Sequence, residues 1–308
     1  MIVRVLGSAA GGGVPQWNCA CANCSAARAG RQPQRSQSGL AVSADGERWL
    51  LLNCSPDIAA QIEAHPPLQP RALRGTPIAG MLFTDANVDH VGGLATLRQS
   101  GAHAFVLRSS AVVRAIATAQ PAFAPFAQPP HCWLEVPLDA PCVAADGDDL
   151  VGTALSVRAI AVAGTTPGFD GRRRERGAVV AYEISEPGGG RLLFAPVFAA
   201  LDGALLAAVA AAEVAFLDGT FFTQDELESQ HLMPKAATAL GHLPVGGKEG
   251  SLERLRGSAA RLIYTHINNS NPMLAGDSAA HRAVREGGAE IAFDGMELRL
   301  RAGKSAGR

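Results

Sequence analysis

Residues 82–94 read LFTDANVDHVGGL. The run Met81–Thr84 that enters this stretch is short and apolar, the pattern of a buried strand. A polar loop, Asp85 to His90, follows, and Gly92-Gly93 opens a helical run. Polar side chains projecting from a strand end into a crevice are a common place for metal ligands, and Asp89 and His90 are both competent. A lone Asp-His pair is often only a cap or a surface turn, so the reading needs partners elsewhere.

Two further segments have the same style. Val214–Thr220, VAFLDGT, is a buried strand ending at Asp218. Ile263–Asn269, IYTHINN, is a buried strand ending at His266 and an Asn-rich turn. Chance explains any one of these strand ends easily, and all three together far less well.

A separate cluster lies near the N-terminus. Cys19, Cys21 and Cys24 form C-x-C-x-x-C within the loop 17–25. That spacing lets three thiolates converge on one tetrahedral ion, and a site closed by a fourth protein ligand is structural. The remaining cysteines, Cys54, Cys132 and Cys142, read as small core residues.

The bulk numbers set the frame. The 308 residues are 47% hydrophobic and 18% charged, ordinary for a globular chain with a large core. A net charge of −1 gives no global attraction to nucleic acid or to an anionic membrane. The N-terminal apolar run is broken at once by glycines, unlike a signal peptide, and no apolar stretch is long enough to span a bilayer. The expectation is a cytoplasmic protein. The basic run Arg172–Arg176 reads first as a solvated loop and second as a binder of a substrate carboxylate.

Strand runs are expected at Ile2–Leu6, Trp49–Asn53, Gly80–Thr84, Ala104–Arg108, Leu155–Ala163, Ala178–Ile184, Arg191–Phe194, Glu213–Asp218, Arg261–His266 and Glu290–Phe293. Helices are expected at Asp57–Ala64, Gly93–Ser100, Ser109–Ala119, Leu201–Ala212, Met233–Leu240, Ser251–Gly257 and Ser278–Glu286, with Asp57, Ser109 and Ser278 as N-caps. Strand runs come in groups flanked by helices, which fits two sheets packed face to face with helices outside, an α+β arrangement. Gln120 to Pro130 and the polar stretch Phe221 to Gln230 read as loops, the second placed where a lid would sit. Residues 1–301 read as one domain and 302–308 as a flexible tail.

These motifs, with the closing Ala292–Leu298 (AFDGMEL), resemble the metallo-β-lactamase superfamily. VPQWNCACANC near the N-terminus and HINNSNPML near the C-terminus are similar to the pyrroloquinoline quinone biosynthesis B family over essentially the whole chain. The resemblance implies an αββα four-layer sandwich with the metal centre at one edge of both sheets. The superfamily loop is H-x-H-x-D-H. Here Asp85 and Asn87 stand at its two leading positions, and Asp89 and His90 match the last two. No histidine lies between His131 and His231, and Leu193–Val197 lacks the bridging aspartate. One metal site is therefore dismantled, and Asp89, His90 and His266 remain for the other.

Two histidines and one carboxylate form the ligand set of a mononuclear Fe(II) site that activates O₂, although Zn²⁺ also fills it. Asp218 is expected as a further ligand or as a partner that orients a histidine. Asp85 and Asn87 are expected at the substrate or holding the loop, and His242 as an acid/base or substrate contact or merely a turn residue. The resemblance assigns Asn269, three residues after His266, as the fourth ligand of a structural Zn²⁺. It implies work on a Glu–Tyr-derived precursor of pyrroloquinoline quinone, by hydroxylation of the tyrosine ring, beside other proteins of that pathway. A non-catalytic carrier of the quinone or its precursor toward the periplasm stays open as the alternative.

Overall fold

The computed structural model describes residues 1–100, 103–142 and 154–300. Its strands are β1 (Ile2–Gly7), β2 (Gly39–Ser43), β3 (Trp49–Leu52), β4 (Ile78–Leu82), β5 (Val106–Ser109), β6 (Cys132–Glu135), β7 (Pro141–Cys142), β8 (Ser156–Ala161), β9 (Val180–Ser185), β10 (Arg191–Ala195), β11 (Val214–Asp218), β12 (Arg261–Thr265), β13 (Glu290–Ile291) and β14 (Glu297–Arg299). Its helices are α1 (Ala22–Arg28), α2 (Ile58–Ala64), α3 (Val88–Val91), α4 (Gly93–Leu97), α5 (Ala111–Thr118), α6 (Gly203–Ala211), α7 (Glu226–Ser229), α8 (Ser251–Arg254) and α9 (Ala279–Glu286).

Among the described residues the strands form two sheets of seven, in the orders β14-β1-β2-β3-β4-β5-β6 and β13-β12-β11-β10-β9-β8-β7. Alternation along each strand builds the layers. Leu192 and Phe194 of β10 join Leu40, Val42, Leu50 and Leu82 in a core between the sheets. Leu193 and Ala195 point the other way, to a layer containing Leu205, Leu252 and Val284 of α6, α8 and α9. On the other sheet Met81 and Leu107 pack outward on Ile58, Leu94 and Val113. The strands are thus apolar on both faces, and the result is the expected αββα sandwich. Each fully buried Leu or Phe contributes about 1.5–3 kcal/mol of hydrophobic transfer.

The parallel pairs β3–β4–β5–β6 and β10–β11–β12–β13 matter most for function. Crevices outside the carboxyl ends of parallel strands are where α/β folds place ligands. The two sheets are also stitched together at that end. Tyr182 donates its hydroxyl to the Phe83 carbonyl (3.0 Å), and the Val180 amide donates to the Thr84 carbonyl (2.8 Å). Ala9 bridges to Ile267 beyond the end of β12.

Several local expectations are corrected. The stretch to His90 is not all loop, because Val88–Val91 is a helical turn. Ser110 rather than Ser109 caps α5, its side chain accepting from the Val113 amide, while Ser109 ends β5. Asp57 holds the N-cap position of α2 without capping it, because its carboxylate accepts from the Gln37 amide instead. The helix expected over Met233–Leu240 shrinks to a 3₁₀ turn at Thr238–Leu240. Pro234 disfavours helix at the preceding residue, and the exposed Leu232 and Met233 have no face to bury. Cys54 is buried as expected, but Cys132 is exposed on the edge strand β6. The expected tail 302–308 lies outside the described residues.

Candidate metal centre and its cavity

Asp89 and His90 sit on the turn α3, just past the end of β4, and His266 is the residue after β12. α3 and α4 lie tight against the chain end of β3. A Cβ on Gly93 would stand 2.3 Å from the Ser55 carbonyl oxygen, so the second glycine of Gly92-Gly93 is what permits this approach. His266 adopts a φ of +54°, an uncommon conformation for a non-glycine residue. The strand ends bring together one oxygen of Asp89 and one nitrogen each of His90 and His266, all within 4.8 Å of one another.

Each histidine is held from behind. His90 donates Nδ1–H to Asp85 Oδ2 at 2.6 Å. His266 donates Nδ1–H to Thr220 Oγ1 at 2.8 Å, and that hydroxyl donates to Asp218 Oδ1 at 2.7 Å. Anchoring Nδ1–H on a carboxylate, directly or through a hydroxyl, leaves Nε2 as the ligand atom and raises its basicity. His90 Nε2 is buried and has no hydrogen-bond partner. It stands 3.6 Å from Asp89 Oδ2, and His266 Nε2 is 3.1 Å from the same oxygen. An orphaned buried imidazole nitrogen beside a carboxylate and a second imidazole fits a cation there.

The electrostatics agree. Burial opposes charge on Asp89, yet His90 and then His266 hold its carboxyl well below the usual carboxylate range. Burial also opposes charge on His90, and the carboxylates of Asp85 and Asp89 outweigh it, pushing the imidazole up to about 9. The centre is a negative field that a cation satisfies.

Of the two roles expected for Asp218, its hydrogen bonds display the orienting one, and its carboxylate also lies with His242 and His266 in a second group able to hold an ion. Oδ2 accepts from the Phe198 amide (3.0 Å) and His242 Nδ1 (2.8 Å), and Oδ1 accepts from the Thr220 amide and hydroxyl. Both oxygens are filled, so Asp218 orients His242 directly and His266 through Thr220. Burial works against its ionisation, but His242 and then His266 keep it below the ordinary range. Of the two roles expected for Asp85, its hydrogen bonds display the second, holding the loop. It is fully buried, and its oxygens serve His90 Nδ1, Thr84 Oγ1 and the Asn87 amides, so it stands behind the histidine and not beside a substrate.

A cavity of about 220 Å³ opens over the centre, lined by Asp89, His90, His242, His266, Asn87 and Phe221 among others. Asn87 is at the cavity as expected, and His242 presents its ring there, stacked 5.7 Å from His266. The polar stretch after Asp218 is partly folded. α7 lies within it, and Phe221 and Leu227 are buried with Ala237. His231 is exposed and away from the cavity. Sequence reasoning missed Thr220, quoted in VAFLDGT but given no role, and Gly11, where a Cβ would come within 3.2 Å of Asp89 Oδ2. It also missed Thr84, which bonds to both Asp85 and Asn53. A wider cavity of about 500 Å³ beyond Gly12–Pro15 is lined by Arg35, Asp57 and Asp294. Their polar atoms are engaged by Ser8, Ser36 and Gln37, so they hold the surrounding turns.

The Cys loop docks on the turn that carries His266. The sulfurs of Cys19, Cys21 and Cys24 lie 3.1, 3.5 and 3.4 Å from the side-chain amide nitrogen of Asn269. Turning that amide by half a revolution presents its oxygen to the same point. Three sulfurs converging on one amide fit a closed tetrahedral ion. Burial opposes thiolate formation at Cys21, yet hydrogen bonds from Cys24, Cys19 and Asn269 lower its thiol, while burial pushes Cys24 up to about 11.

Comparison with known proteins gives the family and the fold. A beta-lactamase superfamily domain matches residues 48–267, ending one residue past His266. The coenzyme PQQ synthesis protein B of Ruegeria pomeroyi is 38% identical over 305 residues, covering 97% of this chain and all of that one. The crystal structure of Zn²⁺-bound PqqB from Methylobacterium extorquens superposes with a TM-score of 0.90 at 37% identity, over 97% of this chain and 100% of that one. A diphosphatase of the PhnP family shares the fold at 18% identity and a TM-score of 0.68, over 98% of each chain.

Proposed function

The chain belongs to the coenzyme PQQ synthesis protein B family, within the beta-lactamase superfamily, and from that premise we propose that it hydroxylates the tyrosine-derived ring of a Glu–Tyr precursor during synthesis of the quinone cofactor. The observation that carries this reading is the three-ligand centre: Asp89, His90 and His266 converge, while Asp85, where the superfamily places a histidine, is consumed in holding His90. A hydrolase with two metal ions needs both ions to activate water and stabilise the leaving group. The proposed centre takes one ion on Asp89, His90 and His266; a second group among the described residues, Asp218, His242 and His266, shares His266 with it, and there both Asp218 oxygens are given to hydrogen bonds.

In this reading Asp89, His90 and His266 hold Fe(II), and Cys19, Cys21, Cys24 and Asn269 hold a structural Zn²⁺. Zn²⁺ also satisfies the His/His/Asp set and can replace Fe(II) there. When bound, Fe(II) supplies the redox chemistry that activates O₂. The balance for the ring is one phenol and one O₂ giving one o-quinone and one water, with no outside electrons. A reaction that stops at the catechol takes two electrons from a reductant.

The chain's own residues bind, orient and move a proton. Asp218 keeps the Nδ1 proton of His242 and leaves Nε2 as an acceptor facing the cavity, where it takes the proton of the substrate phenol. Asp85 and Thr220 hold the ligand rings in one tautomer. Phe221 and Val197 give the cavity an apolar wall for the ring. No helix among the described residues is long and apolar enough to cross a membrane, and the reading puts the step in the cytoplasm, beside the other proteins of the pathway.

The test is incubation of Fe(II)-loaded protein with a Glu–Tyr-derived peptide under isotopically labelled O₂. The reading expects label in the ring product and none in anaerobic controls. Tight binding of the quinone or peptide with no oxygen uptake would replace it by the carrier reading.

A further inference from the structure

We propose that Arg172 is a substrate-binding residue that receives a carboxylate of the molecule entering the His266 cavity, so that the site selects acidic ligands. This rests on the reading above that a small ring-bearing molecule occupies the cavity.

The run Arg172–Arg176 contains four arginines whose surroundings differ. Arg173 pairs with Asp170 (2.8 Å) and Glu175 (3.0 Å), and Arg176 pairs with Asp139. Arg172 has no carboxylate partner among the described residues. Among those residues the guanidinium makes one hydrogen bond, from Nη1 to the Leu240 carbonyl at 3.3 Å, which leaves most of its five N–H donors unused. That carbonyl belongs to the turn two residues before His242, and Arg172 itself lines the cavity with His242 and His266. Its φ is +46°, an uncommon setting for a non-glycine residue and one that recurs where a side chain is aimed at a ligand.

The shape of the space points the same way. About 220 Å³ over the metal centre is below the roughly 300–1,000 Å³ of a typical ligand site, so it holds one end of a molecule. A second cavity of about 500 Å³ shares Thr165 and Gly241 with the first and carries Arg174 and Arg176 on its wall. Arg172 stands beside that junction. A ligand whose ring reaches His242 then has its polar end passing the guanidinium. The planar fork of arginine matches a carboxylate with two parallel hydrogen bonds, which a lysine cannot reproduce.

The experiment measures binding to the metal-loaded full chain under anaerobic conditions, so that no turnover intervenes. The probes are the Glu–Tyr dipeptide and the same dipeptide with both carboxylates converted to amides. The wild type should bind the acid form about tenfold more tightly than the diamide. Arg172→Gln should erase that preference while leaving diamide affinity and metal content unchanged, and Arg172→Lys should retain only part of it. Equal binding of the two forms by the wild type, a preference that survives in Arg172→Gln, or no binding of the acid form would each overturn the proposal. A preference that follows Arg172, with no oxygen uptake by the same protein in the separate aerobic labelling assay, would remove the hydroxylation reading and leave the carboxylate site standing. Oxygen uptake without the preference would do the reverse.

Discussion

Asp85 Oδ2 lies 2.6 Å from His90 Nδ1, and both side chains are buried. The residue standing where the superfamily motif has a histidine thus gives up metal binding and sets the tautomer and direction of the histidine that remains. In the proposed reading TDANVDH is a loop built around one ion. Replacing Asp85 by Asn keeps the shape and removes the charge. Such outer partners are worth roughly 10- to 100-fold in metal affinity. Asp85→Asn should therefore lose metal to a competing chelator at 10- to 100-fold lower chelator strength, with an unchanged far-ultraviolet spectrum. Wild-type affinity would show that Asp85 is only structural.

Asp218 joins two histidines, and its effect on catalysis should run through His242. Asp218→Asn, with His242→Gln, tests this as a double-substitution cycle. If the two act as one unit, the double variant should be about as slow as His242→Gln alone, and not slower by the product of both effects. Each single change should lower kcat with little change in dipeptide affinity. Additive losses would separate the two residues.

The Cys loop and the metal centre share one turn, since Asn269 touches three sulfurs and lies three residues after His266. The uncommon φ of His266 persists only while its surroundings hold it. Cys21→Ser should lose the structural Zn²⁺ and lower Fe(II) occupancy with it. Full Fe(II) occupancy in that variant would uncouple the two sites.

Glu226 on α7 accepts from Ser270 Oγ (2.6 Å) and the Phe222 amide (2.7 Å), linking the segment after Asp218 to the His266 turn. Burial pushes its carboxyl up to about 7, from 4.5 in an unfolded chain. Between those values the folded state holds more protons than the unfolded one, so this residue's contribution to stability declines as pH rises from 4.5 to about 7 and is level above. Glu226→Gln removes that slope. Denaturant midpoints at pH 5 and pH 8 should differ less in the variant than in the wild type, with the variant gaining most at pH 8. Parallel pH dependence in the two proteins would contradict the assignment.

Much of this was legible in the sequence, for physical reasons that also explain what was not. β11 and β12 read clearly because parallel strands buried on both faces are unbroken apolar runs. β2, written GLAVS, and β14, written ELR, did not, because small or alternating polar residues carry a weak strand signal outside their pairing with β1. Asp89, His90 and His266 were legible as polar side chains at strand ends. The orienting role of Asp85 was not, and that of Asp218 was legible only as an alternative to direct ligation, because an aspartate reads the same whether its oxygens face an ion or a ring N–H. Asp218 meets His242 across 24 residues of sequence, a contact only the fold makes. Arg172 was visible as part of a basic run, but only the pairing of its neighbours Arg173 and Arg176 sets it apart.

The central claim is a single catalytic ion held by Asp89, His90 and His266, beside one structural Zn²⁺. The most direct measurement is elemental analysis of metal per chain in Fe(II)-reconstituted protein, with His266→Ala in parallel. The account predicts one Zn²⁺ and one Fe(II) per chain in the wild type, with the Fe(II) lost and the Zn²⁺ largely kept in the variant. Two ions at the catalytic centre besides the structural Zn²⁺, or full Fe(II) retention without His266, would contradict it.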